Sequence, residues 1–315
     1  MTRPTLIAIG RYYDWDIEPM RAEYDLHVAT DTGAVADLPE AVRTTCEAVA
    51  FKGHAAFGGA VMDLLPALKL IANYGVGYDT IDVEAASARG VKVTNTPDVL
   101  NDDVADLAVA LLLAQSRELR RAENWVRSGD WARRGDMRLA RKVSGGRAGI
   151  LGLGRIGREI ADRLTAFKME IHYHSRAPKD VPAGWVHHPD PVSLAAAVDF
   201  LFVALVGGEA TRGMVSAPVI EALGRDGVIV NISRGSTIDE GALLDALEQG
   251  RIRGAGLDVF LNEPNIDPRF MALENVVLLP HVGSGTIETR KAMGQLQRDN
   301  IAAHFAGRPL PTPVN

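Results

Sequence analysis

Cysteine is nearly absent. The 315-residue chain holds one, Cys46, so no disulfide can form within it and no multi-cysteine zinc site can be built. A reducing compartment is the simplest reading, and a cytoplasmic location is the expectation. Long apolar runs are missing too. The richest, Leu107–Ala114, falls well short of the ~18 residues needed to span a bilayer. Leu6-Ile7-Ala8-Ile9 near the start is too short for the core of a signal peptide. No contact with a membrane is expected. A basic excess is also lacking. Lys and Arg number 34 against 40 Asp and Glu, a net charge of −6, which is the wrong sign for a nucleic-acid surface. Disorder is excluded as well, because hydrophobic residues make up 47% and charged residues 23%.

Glycine, by contrast, is abundant. Of 31 glycines, 17 fall between Gly145 and Gly256, where backbone must turn sharply or approach a ligand. The length is about twice the ~150 residues of one domain, so two domains are expected.

Short apolar runs alternate with helical patterns along nearly the whole chain. Thr5–Ile9, Glu47–Phe51, Leu68–Ala72 and Val91–Thr94 read as strands, with helices over Pro39–Cys46, Ala60–Leu65 and Val83–Arg89. Near-continuous apolar strands between helices predict an α/β fold with parallel sheets covered on both faces. From Leu100 to Ser128 the pattern is a long helical stretch, with Val104, Leu107, Ala108, Leu111 and Leu112 at helical spacing. An Arg-rich connector, Arg127–Arg141, follows and carries Trp131. Six further strands are expected at Arg147–Leu151, Glu170–His174, Phe200–Leu205, Val228–Ile232, Ala255–Val259 and Val276–Leu279. A last helix, about Thr286–Ala306, precedes a Pro-rich tail.

Gly152-Leu153-Gly154-Arg155-Ile156-Gly157 spells G-x-G-x-x-G directly after one strand and at the start of a helix. That context, more than the spelling, marks a dinucleotide site. A plain strand-to-helix turn is the alternative. Gly152 permits the turn, Gly154 lets a pyrophosphate approach, and Gly157 lets helix and strand pack. Helix-terminal amides then face the phosphates. About 20 residues on, where an NAD site places a carboxylate for the ribose, stand His174-Ser175-Arg176. Arg176 can fork onto a 2′-phosphate and Ser175 can donate to it. NADP(H) is therefore expected over NAD(H), which stays possible. A solvated surface Arg176 is the competing reading.

Arg234, in Asn231–Gly235, sits at a strand end, where open α/β sheets bind ligands. It can grip a carboxylate at two points, or make a structural salt bridge. His281 ends the last strand, and Glu263 follows the strand before it. A carboxylate beside an imidazole stabilises its charged form, giving a proton donor for a carbonyl. Taken alone, a core histidine bonded to an acid reads as well. His187 and His188 read as surface residues on a polar loop. No metal site is expected.

The segments Asn73–Asp82, Thr94–Pro97, Gly149–Gly157, Asn231–Gly235, Gly256–Pro264 and Leu279–Gly283 together resemble the D-isomer-specific 2-hydroxyacid dehydrogenases, over nearly the whole chain. Ser175-Arg176 and the tail Thr312-Pro313-Val314-Asn315 resemble the NADP-dependent glyoxylate/hydroxypyruvate reductases within that family. The resemblance implies two doubly wound parallel-sheet domains. A Rossmann cofactor domain over 99–285 would be inserted into a flavodoxin-like substrate domain over 1–98 and 286–315. Two crossings would link the domains, near Pro97–Leu100 and near Gly283–Thr286, and Gly283 and Gly285 suit a hinge.

By position, Arg234 would bind the substrate carboxylate and polarise the keto group, His281 would be the general acid, and Glu263 would orient it. Val76 and Gly77 would offer N–H groups to the carboxylate. Asp258 would hold the nicotinamide carboxamide, and Arg155, Ile156, Val206 and Ser233 would complete the cofactor contacts. Val206 departs from the pattern, since many members carry proline there. The implied activity is NADPH-dependent reduction of glyoxylate and hydroxypyruvate. A D-lactate-type or broad 2-keto acid dehydrogenase, and a non-catalytic dinucleotide sensor, remain as alternatives. A homodimer through the 100–140 region is expected, with the apolar face of the long helix as its contact; internal core is the alternative for that face.

Overall fold

In the computed structural model, residues 3–315 are described, and they divide into two compact units. One runs up to Leu100 and resumes over Thr286–Asn315; the other is Asn101–Gly285.

The first unit is built on five strands: β1 (Thr5–Ile9), β2 (Asp25–Ala29), β3 (Ala48–Phe51), β4 (Leu70–Asn73) and β5 (Lys92–Thr94). All pair parallel, in the order β2-β1-β3-β4-β5, the flavodoxin-like arrangement. Alternation decides the two faces. Ile7, Ile9, Val49, Phe51, Ile71 and Val93 pack on one side against Val42, Met62 and Leu65. Ala8, Ala48, Ala50 and Ala72 line the other with Met20 and Ile301. The alanines keep that face shallow, so the helix Ile287–Phe305 lies close on β3 and β4. Thr286 caps this helix by accepting the Thr289 N–H.

The second unit holds seven strands: β6 (Arg147–Leu151), β7 (Glu170–His174), β8 (Val186–His188), β9 (Phe200–Val203), β10 (Val228–Asn231), β11 (Gly254–Leu257) and β12 (Val276–Leu278). Their order is β12-β11-β10-β9-β6-β7-β8, again all parallel. Counted from β6 this is the Rossmann order with one strand added, and its switch point lies between β6 and β9. The expected parallel-sheet α/β architecture is therefore present in both units.

Four features differ from the sequence reading. The long helical stretch is two helices, Asn101–Ser116 and Leu119–Arg127, with Glu118 between them at φ 48°. Arg121 and Arg138 hold the Glu118 carboxylate in that left-handed turn. The apolar face of Asn101–Ser116, expected to meet a partner, is internal core. Val104, Ala105, Ala108, Leu111 and Leu112 are buried, and the helix lies on β11 so closely that a Cβ at Gly256 would fall 2.9 Å from the Leu111 side chain. Two edge strands, β2 and β8, and the helix Asp14–Glu23 had no apolar signature to announce them. His187 and His188 therefore belong to a strand, not a loop: His188 bonds His172 at 2.9 Å, and His187 bonds the Ser175 carbonyl at 3.2 Å. No described helix is long and apolar enough to cross a membrane.

Candidate active site

In a parallel sheet, all the strands end on one edge, and that edge is where ligands bind. In the second unit the carboxyl ends of β6, β7, β9, β10, β11 and β12 lead directly to Gly152, Ser175-Arg176, Val206, Arg234, Asp258 and His281. One edge thus carries nearly every residue expected to act in this unit.

The phosphate turn comes first. Gly152 has φ 100°, and a Cβ there would lie 2.6 Å from the Ala204 carbonyl oxygen at the end of β9. A Cβ at Gly157 would lie 2.2 Å from the Gly152 carbonyl oxygen, so this glycine is the contact between turn and helix. Gly154 differs: nothing lies within 4 Å of its would-be Cβ. The helix Arg155–Ala166 starts there, with Ile156 in its first turn. Open space before helix-terminal amides fits a dinucleotide pyrophosphate. At the end of β7, Arg176 is exposed, and no hydrogen bond or ion pair occupies its guanidinium among the described residues. The Ser175 hydroxyl turns back onto the Ala177 carbonyl at 2.6 Å. Val206 is 69% exposed.

Next is the acid. His281 Nδ1 stands 2.6 Å from Glu263 Oε2. The other carboxylate oxygen of Glu263 accepts the Phe260 N–H at 2.8 Å, which fixes the carboxylate itself. A carboxylate at Nδ1 fixes the tautomer and orientation of the ring. His281 has φ 54°, in the left-handed region, where a side chain needs surrounding structure to hold it. Asp258 supplies that structure. Its carbonyl accepts the His281 N–H at 2.9 Å, Oδ1 accepts from Val282 at 2.8 Å, and Oδ2 from Gly283 at 2.7 Å. Asp258 is 1% exposed. Burial pushes its carboxyl above the usual range, against the pull of those two N–H groups.

Arg234 is set by a similar device. Asn231 ends β10; its Oδ1 accepts the Ser233 N–H and hydroxyl, and its Nδ2 donates to the Arg234 carbonyl. The Ser233 hydroxyl also meets Thr237 at 3.0 Å, so that side chain is engaged within the turn, and the Ser233 carbonyl accepts Arg234 Nη1. Gly235 is needed here, because a Cβ would fall 1.9 Å from the Phe260 carbonyl carbon.

In the first unit the same device closes β4. Asn73 Nδ2 donates to the carbonyls of Gly75 and Gly77, and Asn95 Nδ2 to that of Val76. With the carbonyls drawn inward, the N–H groups of Val76 and Gly77 donate to nothing among the described residues. Two unpaired neighbouring N–H groups suit a carboxylate oxygen. Asn73, Asn95 and Asn231 escaped the sequence reading. Their signal is an asparagine closing an apolar strand or following one, where its amide can fold the next turn.

Residues 109–283 match the profile of the D-isomer specific 2-hydroxyacid dehydrogenase NAD binding domain. The chain is 47% identical over 267 residues, 85% of each chain, to the hydroxyphenylpyruvate reductase of Plectranthus scutellarioides. It is 47% identical over 277 residues, 88% of each, to a glyoxylate/hydroxypyruvate reductase of Arabidopsis thaliana. Among solved structures, the NADPH-dependent glyoxylate/hydroxypyruvate reductase of Sinorhizobium meliloti, crystallised with NADP and malonate, superposes with a TM-score of 0.94 at 42% identity. That match covers 99% of this chain and 97% of the other.

Proposed function

We propose that this chain, which belongs to the D-isomer-specific 2-hydroxyacid dehydrogenase family, reduces glyoxylate and hydroxypyruvate to their D-2-hydroxy acids with NADPH. It is an oxidoreductase, and its cofactor is a nicotinamide dinucleotide. The observation that carries the reading is the 2.6 Å pair of Glu263 and His281, set beyond the carboxyl ends of β11 and β12 in the unit that bears the Gly152–Gly157 turn.

Each residue has a task in this reading. Gly152, Gly154 and Gly157 shape the turn, and Arg155 and Ile156 open the helix whose amides meet the pyrophosphate. Arg176 meets the 2′-phosphate, with Ser175, whose hydroxyl is turned onto the Ala177 carbonyl, beside it; no carboxylate stands at that strand end to repel the phosphate. Val206, Ser233 and Asp258 border the nicotinamide. The bound nicotinamide supplies the hydride. Arg234 and the N–H groups of Val76 and Gly77 bind the substrate carboxylate, and Arg234 polarises the keto oxygen. His281 donates the Nε2 proton to that oxygen as it takes on charge. Glu263 fixes the ring and stabilises the imidazolium beforehand. The unit holding Val76 and Gly77 is read as the substrate domain, Asn101–Gly285 as the cofactor domain.

A twofold dimer is part of the proposal. With the face of Asn101–Ser116 buried, its support moves to Leu119, Val126, Trp131 and Leu139, which are 50%, 59%, 59% and 96% exposed. They belong to a single segment beside a 650 Å³ concavity lined by Trp125, Arg134 and Leu139.

Steady-state oxidation of NADPH and of NADH tests the function, with glyoxylate, hydroxypyruvate, pyruvate and phenylpyruvate. The highest kcat/KM is expected for NADPH with the two small substrates. Preference for NADH would overturn the cofactor reading, and preference for phenylpyruvate the substrate reading.

A further inference from the structure

Lys52 is the first residue beyond β3 and has no role in the scheme above. It is partly buried. Its ammonium lies 4.4 Å from the ring centroid of Tyr13, 4.6 Å from Tyr74 and 5.4 Å from Tyr12, within cation–π range of all three. The cage is rigid. Tyr12 accepts a hydrogen bond from Gln297 at 3.0 Å, Tyr74 donates to the Arg290 carbonyl, and Tyr13 stacks on Trp15 at 4.4 Å.

Backbone geometry closes it. A Cβ on Gly10 would fall 1.7 Å from the Lys52 carbonyl oxygen, and Gly10 has φ 104°. Only glycine lets the chain beyond β1 pass that close and carry Tyr12 and Tyr13 around the lysine.

Ring faces accommodate the charge but do not saturate three N–H donors. No hydrogen bond or ion pair to the ammonium exists among the described residues. The charged groups facing it are Asp16 from the helix Asp14–Glu23 and Arg290 from Ile287–Phe305. Asp16 is already paired with Arg298. Burial and Arg290 push the Lys52 amine down to about 8.

The register Phe51↔Asn73 sets Lys52 beside Tyr74, two residues from Val76 and one strand away. Neighbouring strands lie about 4.8 Å apart, so Lys52 and the turn that bears Val76 and Gly77 leave adjacent strand ends.

We propose that Lys52, in its tyrosine cage, is a specificity-determining cation that binds an anionic group at the far end of the substrate, so that 2-keto dicarboxylates of four or five carbons are favoured over uncharged analogues. This rests on the reading that Val76 and Gly77 hold the substrate's reacting carboxylate.

The test compares 2-oxoglutarate with 2-oxopentanoate, which has a methyl in place of the second carboxylate. With NADPH, the full-length chain is expected to show the higher kcat/KM for 2-oxoglutarate, through KM. In Lys52→Met the ratio falls about tenfold, the scale of one charge-assisted hydrogen bond. Lys52→Arg, which keeps the charge, retains most of it. The sign with pH follows: the ammonium is present below about 8, so the wild-type preference fades as pH rises through that value, and the preference of Lys52→Met stays flat. An equal ratio in wild type and Lys52→Met, or a pH-independent preference, would overturn the proposal. Calorimetric binding of 2-oxoglutarate to the same proteins tests Lys52 even without turnover: weaker binding by Lys52→Met supports the proposal, and equal affinities contradict it. Absent turnover of glyoxylate by the wild type would instead count against the parent reading.

Discussion

A single histidine with positive φ carries much of the proposed chemistry. His281 is held from two sides, Glu263 at its ring and Asp258 at its backbone. Glu263→Gln keeps the contact but loses the charge that favours imidazolium. Its kcat should fall by about tenfold to a hundredfold, less than the ~10²–10⁴ of losing the general acid itself, with a smaller change in KM. Unchanged kcat in steady-state kinetics would remove Glu263 from the reaction. Arg176→Ala should lower kcat/KM for NADPH by about tenfold, the value of a charge-assisted contact, and leave NADH nearly unaffected. Equal losses with both cofactors would make Arg176 a surface charge. The residues that bear charge were legible in the sequence because they follow apolar strands. Their fasteners were not. Asp258 binds N–H groups 24 and 25 residues away, partners that no local spacing encodes, whereas Ser233 engages its hydroxyl with Asn231 and Thr237 inside its own turn.

Among the elements, strands with a continuous apolar sequence announced themselves, the edge strands β5 and β12 included, and the edge strands β2 and β8 did not. β4, β9 and β10 are buried at every position, so they read as continuous apolar runs. β2 and β8 lie at sheet edges, and their sequences, Asp25–Ala29 and Val186–His188, mix polar and apolar residues as half-exposed strands do. The break at Glu118 was hidden for a related reason: an αL residue other than glycine has no signature without the arginines that hold it. Glycine was the most legible signal, and one position gives a direct prediction. Gly235→Ala forces a Cβ into the Phe260 backbone, an overpacking cost of about 1–3 kcal/mol. Thermal unfolding should show Tm lowered by on the order of several degrees. An unchanged Tm would mean the turn after β10 relaxes freely.

The molecule as a whole follows two strand orders, β2-β1-β3-β4-β5 and β12-β11-β10-β9-β6-β7-β8. Alternating apolar runs were enough to foresee parallel sheets, but order depends on which edge each crossover takes, and the sequence pattern is silent on that. The apolar helix Asn101–Ser116 shows the limit at this scale: its pattern could not say whether its partner is a second chain or its own sheet. The exposed segment Leu119–Leu139 is the better dimer candidate. Sedimentation should give twice the 33.8 kDa chain mass, and Trp131→Asp with Leu139→Asp should shift it toward the monomer. A wild-type monomer would remove the dimer from the account.

The central claim is keto-acid reduction with His281 as proton donor, and one measurement reaches it most directly. Loss of NADPH absorbance is followed after mixing with glyoxylate, for the wild type and for His281→Ala of confirmed fold. The account expects turnover by the wild type and a fall of about 10²–10⁴ in kcat for the variant. No turnover by the wild type, or full turnover by His281→Ala, would contradict it.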